Sequence, residues 1–465
     1  MARRVALAGL LPWGLAVFSA CAPRGPAPIV PRTDPAAPAA PRCDEAARVD
    51  VLDHRVRLEL DASPPRLEGT GTITVSARAR TRAIRLDADR LAITRAAWGG
   101  RALAHASGPR EVCVALDREV ARGERVALDL AWGSLGPSAT ATTPAWRGDA
   151  VWAGYATPAW MPTVARASAR ATLHLTIDAP AELAVVASGV PGAITARGAR
   201  AEHTFAVERP APTFLFAFAA GRFAKAETQV GDERLSIHGA SAASLGPILE
   251  ATAATLRFLE GRLGARLPEG RYAQVVVPGD AAQEAVGLAL VGDEHVRAFE
   301  RDPREDWIFA HELAHQWFAR AVPCADFADF WLNEGFATFV VAAAKEDRWG
   351  REAYERELAL LRERSRKVTA AGKDAPLAPR PDAPRELDPP PPPRGIAYAR
   401  GALVLDRLRR ELGDEAFWRG LARWVAEAPV AGARTDDLRR ALEAATGRDL
   451  AAFFARWVYA VAPDA

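Results

Sequence analysis

Four residues in two short segments could do chemistry together. In the stretch HELAHQWFAR, residues 311–320, His311 and His315 stand four positions apart with Glu312 between them. On a helix that spacing places two imidazoles on one face, where they can share a metal ion, with Glu312 beside them as a base. The run WIFAHELAHQWFARAV holds no Pro or Gly, so a helix is expected across it, and Asp306 is placed to cap its start. Two histidines on a buried helix also occur for packing alone, so a third ligand is needed. Eighteen residues separate His315 from Glu334, within FADFWLNEGFATFVVAAAKEDRW. This second helical run leaves room for one turn of chain and a return beside the first helix. Trp331, Leu332, Phe336 and Phe339 flank Glu334, and a carboxylate among such neighbours needs a partner. His311, His315 and Glu334 would hold zinc with three protein ligands and leave a fourth position for water, as hydrolytic zinc sites do. A structural zinc fits less well, since such sites are usually closed by four protein ligands, often cysteines.

The chain that must position these residues has 465 residues, room for two or three domains. Hydrophobic residues make up 49% and charged residues 25%, which is ordinary for a globular protein. A net charge of +2 gives no case for a nucleic-acid partner. From about residue 44 the pattern has period two. Val56, Leu58 and Leu60 share one face, as do Ile73 with Val75, and Leu173 with Leu175 and Ile177. The turn signals SPP at 63–65, WGG at 98–100 and SGVPG at 188–192 punctuate these runs. The expectation is a β-sandwich or saddle-like sheet assembly.

From about residue 245 the texture becomes helical, with Leu249, Leu256, Leu259 and Leu263 at helical spacing. A strand-like YAQVVVP and a loop containing AAQEAVGLAL lead to the two metal helices. Residues 374–394 are rich in proline and read as an irregular surface loop. Four further helices follow, and Thr435 is expected as an N-cap.

The N-terminus has a different character. MARRVALAGLLPWGLAVFSAC combines Arg3 and Arg4, an apolar run and small residues, the plan of an export signal. FSAC resembles a bacterial lipobox, which makes Cys21 the expected lipidated residue. The Pro/Ala-rich stretch that follows reads as an extended tether. The expected location is the cell envelope of a bacterium, on the periplasmic side or at the outer membrane, with the protein lipid-anchored at Cys21; Ala22, rather than Asp, after Cys21 is compatible with an outer membrane. An exported chain allows a disulfide between Cys43 and Cys113. Cys324 reads as a small buried side chain. The expected division is a signal at 1–21, a tether at 22–43, a β domain at 44–227 and a catalytic domain at 228–465.

HELAHQW followed by WLNEGFA closely resembles the aminopeptidase N family of zinc metallopeptidases, of the gluzincin clan. The resemblance extends over roughly residues 44–460, including a closing LFAFAAGRF in the β segment. It implies an antiparallel β saddle domain followed by a thermolysin-like, mainly helical peptidase domain. Long members carry a further helical domain over the active site, before which this sequence stops. By the same resemblance His311, His315 and Glu334 match the ligands of one zinc ion, and Glu312 matches the general base. Tyr398, in YARGALVL, matches an oxyanion-stabilising tyrosine, with Arg400 where lysine is usual. Asp329 and Asn333 match positions that flank the third ligand, where support roles are expected.

The match weakens in AAQEAVGL, from Ala281 to Leu288, where the family has G-A-M-E-N, an aromatic residue and G-L. Glu284 aligns with the glutamate that binds the substrate's free α-amino group. Ala281, Gln283 and Ala285 replace Gly, Met and Asn, and Gln283 is expected to put a polar wall where the first side chain binds. AWMPTVA keeps Trp160 and Pro162 of a second family segment but lacks its Cys and Asp. Three functions stay open at this point. One is a zinc aminopeptidase acting on peptides from a membrane anchor. The second is a zinc peptidase that needs no free N-terminus. The third is a non-catalytic, peptide-binding lipoprotein.

Overall fold

In the computed structural model, residues 41–61, 64–134, 144–154, 156–386, 389–429 and 431–461 are described. The expected signal segment, Cys21 and nearly all of the expected tether lie outside these residues. The described chain folds as a β-rich half followed by a half of helices and a smaller sheet.

Period-two alternation builds the first half. Strands Ala47–Asp61, Arg66–Ala77 and Arg170–Pro180 lie side by side in a curled sheet of eleven strands. Val56, Leu58, Leu60, Ile73, Val75, Leu173, Leu175 and Ile177 all enter one core. Most pairing is antiparallel, but Ala47–Asp61 runs parallel to Arg170–Pro180, with Val56 opposite Leu175 and Leu58 opposite Ile177. A parallel pair needs a long connection, and here the connection carries further strands of the same sheet. Cys43 is disulfide-bonded to Cys113, which ties the chain before the first strand to the strand Glu111–Val120. Cys324 is buried with a free thiol.

The strand Phe218–Gly221, from LFAFAAGRF, belongs to a separate four-stranded sheet. Its Ala219, and Ala217 just before it, pack with Ala273, Val275 and Leu288 of the second half in one shared core. The boundary expected at 227/228 falls inside the strand Ala224–Val230, which pairs along its length with Glu233–Gly239. This hairpin turns at Gly231, whose φ of 58° suits glycine, and it belongs wholly to the second half.

The second half has a five-stranded sheet in the order Ala224–Val230, Glu233–Gly239, Arg271–Val277, Leu288–Gly292, Ala282–Ala285. The AAQEAVGLAL segment is therefore a hairpin with an edge strand, not a loop. Around the sheet lie α1 (Ala242–Leu263), α2 (Asp293–Arg301), α3 (Trp307–Ala314), α4 (Trp331–Trp349) and α5 (Arg351–Ala370). After the proline-rich segment come α6 (Gly401–Leu412), α7 (Asp414–Glu427), α8 (Thr435–Thr446) and α9 (Ala451–Trp457). Leu249, Leu256, Leu259 and Leu263 are buried on α1, as their spacing predicts.

Three local expectations need correction. The first metal helix ends at Ala314, and Gln316–Ala321 forms a wider turn. There the Arg320 amide bonds to the His315 carbonyl at 3.0 Å and the Val322 amide to the Trp317 carbonyl at 2.8 Å. Such five-residue bonds widen the helix locally. Second, Asp306 sits at the start of α3, but its carboxylate makes no capping bond. It is paired with Arg348 and faces Lys345 at 3.9 Å, both on α4. Third, Arg434, not Thr435, is the N-cap of α8. The Thr435 hydroxyl instead donates to Asp329 at 2.7 Å.

His54 is fully buried in the first strand, edge-on to Phe216 with ring centroids 6.0 Å apart. Burial lowers its pKa from 6.5 to about 4, against a smaller opposing pull from Asp53. As pH falls below 6.5 the unfolded chain takes up a proton that the folded chain refuses until about pH 4. Stability is therefore lost across that window, by up to about 3 kcal/mol. Urea unfolding at several pH values should show this loss in wild type and a smaller slope in His54→Phe.

Candidate metal centre and active site

Helix α3 presents His311, and His315 as its C-cap, on one face, with ring centroids 4.7 Å apart. Their Nε2 atoms lie 3.2 Å from each other. Helix α4 returns beside α3 and brings Glu334 Oε2 to 3.2 Å from His311 Nε2 and 3.5 Å from His315 Nε2. Zinc bonds of about 2.0–2.2 Å put neighbouring ligand atoms of a tetrahedral site roughly 3.3–3.6 Å apart. The three donor atoms therefore stand at the spacing a shared zinc ion requires. Charge points the same way. Glu284, Glu312 and Glu334 are all buried here, and a divalent cation is the compensation such a cluster calls for.

The surroundings fix these donors. The widened turn after α3 aims the Phe318 carbonyl at His315, whose Nδ1–H donates to it at 3.1 Å. That bond leaves Nε2 as the ligand atom. Phe318 has φ −98° and ψ 58°, outside helical geometry, so a regular helix would not supply this acceptor. At the start of α4, Asp329 accepts from the Thr435 amide at 3.1 Å and hydroxyl at 2.7 Å, and from Arg385 at 2.5 Å. The Trp331 indole donates to the same threonine hydroxyl at 2.8 Å. Asn333 accepts from the Cys324 amide at 3.2 Å. Both residues thus brace the helix that carries Glu334.

Gly335 and Gly401 let α4 and the Tyr398 segment approach closely. A β-carbon on Gly335 would lie 3.1 Å from the Ala397 carbonyl oxygen and 3.1 Å from Gly401 Cα. Tyr398, in the wide turn Ile396–Arg400, consequently stacks flat on His311, with centroids 5.8 Å apart and planes within 9°. Arg394 Nη2 donates to the Tyr398 hydroxyl oxygen at 3.3 Å. Arg400 is buried and reaches Asp374 at 2.5 Å and Thr369 at 3.1 Å, so it anchors the proline-rich segment to α5.

Glu284 reaches the same place from the edge strand Ala282–Ala285. Single carboxylate oxygens of Glu284 and Glu312 and a ring nitrogen of His315 all lie within 4.8 Å of one another. Strand alternation sends Gln283 to the opposite face, where a β-carbon at Gly154 would sit 2.0 Å from its side-chain oxygen. Gln283 therefore does not wall the cavity, contrary to the expectation drawn from its alignment. The cavity has a volume of about 300 Å³ and joins His311, Glu312, His315, Glu334, Glu284 and Tyr398. Trp307, Ile308, Arg364 and Arg394 also line it, with Ala282, Gly395 and Ala399. Neither arginine nor Arg385 stands out in sequence, because they belong to segments with no motif.

Burial raises the Glu284 pKa to about 7, with His315 opposing, and holds the Glu312 carboxyl well above its ordinary value. Burial also disfavours the His315 imidazolium, but Glu284 and Glu334 outweigh it and push its pKa up to about 10. For Glu334 the charge of His315 and bonds from both histidines overcome burial, so its pKa falls below the ordinary carboxylate value. A divalent ion held by these donors would compete with a proton on His315.

Residues 248–457 match the Peptidase family M1 domain. This chain carries a peptidase family M1 domain in its second half. It resembles the M1 zinc metallopeptidase of Deinococcus radiodurans, solved as a mutant bound to a Tyr-Ser-Ala substrate. The two share 25% identity at a TM-score of 0.70, over 89% of this chain and 95% of that one. Aminopeptidase N of Lactococcus lactis subsp. cremoris is 27% identical over 317 residues, which is 64% of this chain and 36% of the relative. Aminopeptidase M1 of Arabidopsis thaliana is 27% identical over 62% of this chain and 34% of its own length. This chain thus spans about a third of the length of these curated relatives. Its N-terminal β half and helical second half agree with the solved two-domain M1 structures.

Two outcomes are expected. His315→Ala and Glu334→Ala should lose zinc on dialysis, while Asp329→Ala should keep it with an affinity weakened by about 10–100-fold in chelator competition. Gly335→Ala should force α4 away from the Tyr398 segment. A cost of about 1–3 kcal/mol in urea unfolding is expected.

Proposed function

We propose that this chain is a zinc-dependent aminopeptidase that removes residues from the free N-termini of peptides, with one zinc ion per chain. The observation that carries the reading is the placement of Glu284 and Glu312 beside His315 in one buried cavity. One carboxylate can hold a substrate ammonium while the other moves a proton a few ångströms away. His311, His315 and Glu334 would hold the ion, which when bound polarises the scissile carbonyl and makes a water a better nucleophile.

Glu284 pairs with the substrate's α-ammonium and sets which peptide bond meets the centre. Glu312 accepts a proton from the attacking water and passes it to the departing amine. The hydroxyl of Tyr398 donates to the oxygen that becomes negative as the carbonyl is attacked. Because Arg394 donates to that hydroxyl's oxygen, the tyrosine's own proton stays free for this bond. Trp307 and Ile308 supply apolar surface to the cavity.

We also propose export and lipid anchoring at Cys21. The support is the N-terminal sequence pattern together with the Cys43–Cys113 disulfide, which suits an oxidising compartment.

A peptide with a free N-terminus and its N-acetylated twin separate the readings. The expected result is cleavage of the free peptide only, strongly reduced in Glu284→Ala. Tyr398→Phe should lower kcat by about 10²–10³-fold, the usual cost of a lost oxyanion donor. Equal cleavage of both peptides would replace this reading with a peptidase indifferent to the N-terminus. No cleavage of either peptide by zinc-loaded protein would favour a binding role.

A further inference from the structure

The strand that carries Glu284 lies at the edge of its sheet, so its distance from the metal ligands must be fixed by something besides strand pairing. Ala282–Ala285 pairs with Leu288–Gly292 and is the last strand in the order. Ala285 brings no polar side chain to the turn that follows. That turn is gripped through its backbone instead. The Val286 amide donates to the Leu215 carbonyl, and the Val286 carbonyl accepts from the Gly189 amide, each at 3.0 Å and each toward the β half. The Gly287 carbonyl accepts from the Ala273 amide, on the middle strand of the sheet, at 3.0 Å.

Two further groups of the turn meet one side chain. Gln316 Nε2 donates to the Ala285 carbonyl at 3.0 Å, and Gln316 Oε1 accepts from the Gly287 amide at 3.0 Å. A carbonyl only accepts and a backbone amide only donates, so these partners also decide which way the side-chain amide points. Gln316 is 1% exposed and directly follows His315 in the chain. It therefore joins the turn after Glu284 to the segment that bears a metal-ligating histidine.

The length of this link has a chemical consequence. In a peptide the α-amine nitrogen and the carbonyl carbon of the first residue are about 2.5 Å apart, a separation set by covalent geometry. An amine held by Glu284 thus fixes where the first carbonyl lies relative to Glu312, Tyr398 and the metal ligands. A shift of Glu284 by about 1 Å carries that carbonyl off its reactive position, and such misplacement costs on the order of 10²-fold in rate.

We propose that Gln316 is a positioning residue for aminopeptidase action. Its side-chain amide sets the distance between Glu284 and the metal centre, which makes the first peptide bond the one that is cleaved. Gln316 does not itself line the cavity, so it acts through Glu284. This rests on the aminopeptidase reading, since Glu284 must hold an amine for its distance to matter.

The test measures binding by calorimetry in zinc-loaded Glu312→Ala protein, which holds peptides without turnover. The ligands are alanyl-alanyl-alanine amide and its N-acetylated twin. With Gln316 intact the free-amine peptide should bind about tenfold more tightly, and Glu284→Ala should abolish that preference. Gln316→Met keeps the side chain's length and removes both bonds. It should weaken the free-amine peptide by about tenfold, change the acetylated one by less than about threefold, and leave zinc affinity unchanged in chelator competition. Added to Glu284→Ala it should weaken neither peptide further, because the two residues act in series. Gln316→Asn is one methylene too short to reach both partners, keeps a polar group in place, and should show the same selective loss. With Glu312 restored, Gln316→Met should lower kcat/KM for the free peptide by about 10–100-fold. A preference that survives in both Gln316 variants, an equal loss for both peptides, a loss of zinc, or effects that multiply with Glu284→Ala would overturn the proposal. No preference with Gln316 intact would instead overturn the aminopeptidase reading, and the positioning role with it.

Discussion

Everything in the second half answers to one crowded contact. Two imidazole nitrogens and a carboxylate oxygen meet at 3.2–3.5 Å in a buried place. Without a cation or a proton among them, such a cluster repels itself and loses hydration, so the fold must hold it in place. Neighbouring elements contribute in different ways. Helix α3 stacks the rings, the widened turn fixes the His315 tautomer through Phe318, and Asp329 pins the start of α4 through Thr435 and Arg385. Gly335 removes the side chain that would keep Tyr398 away. Each is a rigid, satisfied contact supporting an unsatisfied centre, the arrangement that preorganises a metal site.

The β half has a part in this as well. Its four-stranded sheet shares a core with the five-stranded sheet, whose edge strand delivers Glu284. A strand's period of two then decides which residues of AAQEA matter for the cavity. Ala282 and Glu284 face it, and Gln283 packs against the backbone at Gly154. The departures from the family pattern at 281, 283 and 285 therefore fall on positions other than the cavity-facing pair. The proline-rich segment works in a similar way. Its described residues before Arg394 form no helix or strand, yet Arg385 braces the third ligand's helix and Arg394 bears on Tyr398. Segments without repeating backbone bonds are free to place such side chains where regular elements cannot.

Much of this protein was legible in sequence because it is local. A spacing of four residues in HELAH places two side chains on one helix face wherever that helix lies. WLNEG sets a carboxylate among aromatic residues, and period-two runs such as HRVRLEL specify strands and their buried faces. The Cys43–Cys113 bond was open to suggestion, since few cysteines were available to pair.

Other features came only with the tertiary structure, because they depend on groups far apart in the chain. The helix through HELAHQWFARAV looked continuous, since nothing in its residue types breaks a helix; the Phe318 carbonyl turns aside to meet His315. Thr435 had the chemistry of a cap, but a buried Asp329 more than a hundred residues away took its hydroxyl. AAQEAVGLAL read as a loop because short, alanine-rich strands lack a strong pattern, and pairing with Leu288–Gly292 made it an edge strand. Arg364 and Arg394 lie thirty residues apart in the chain, yet both line the one cavity. Sequence determined which groups could bind a metal and move a proton, because those properties reside in single residues and short spacings. The tertiary structure decided which of them share a cavity, because that depends on helix approach, strand alternation and where buried charges find partners.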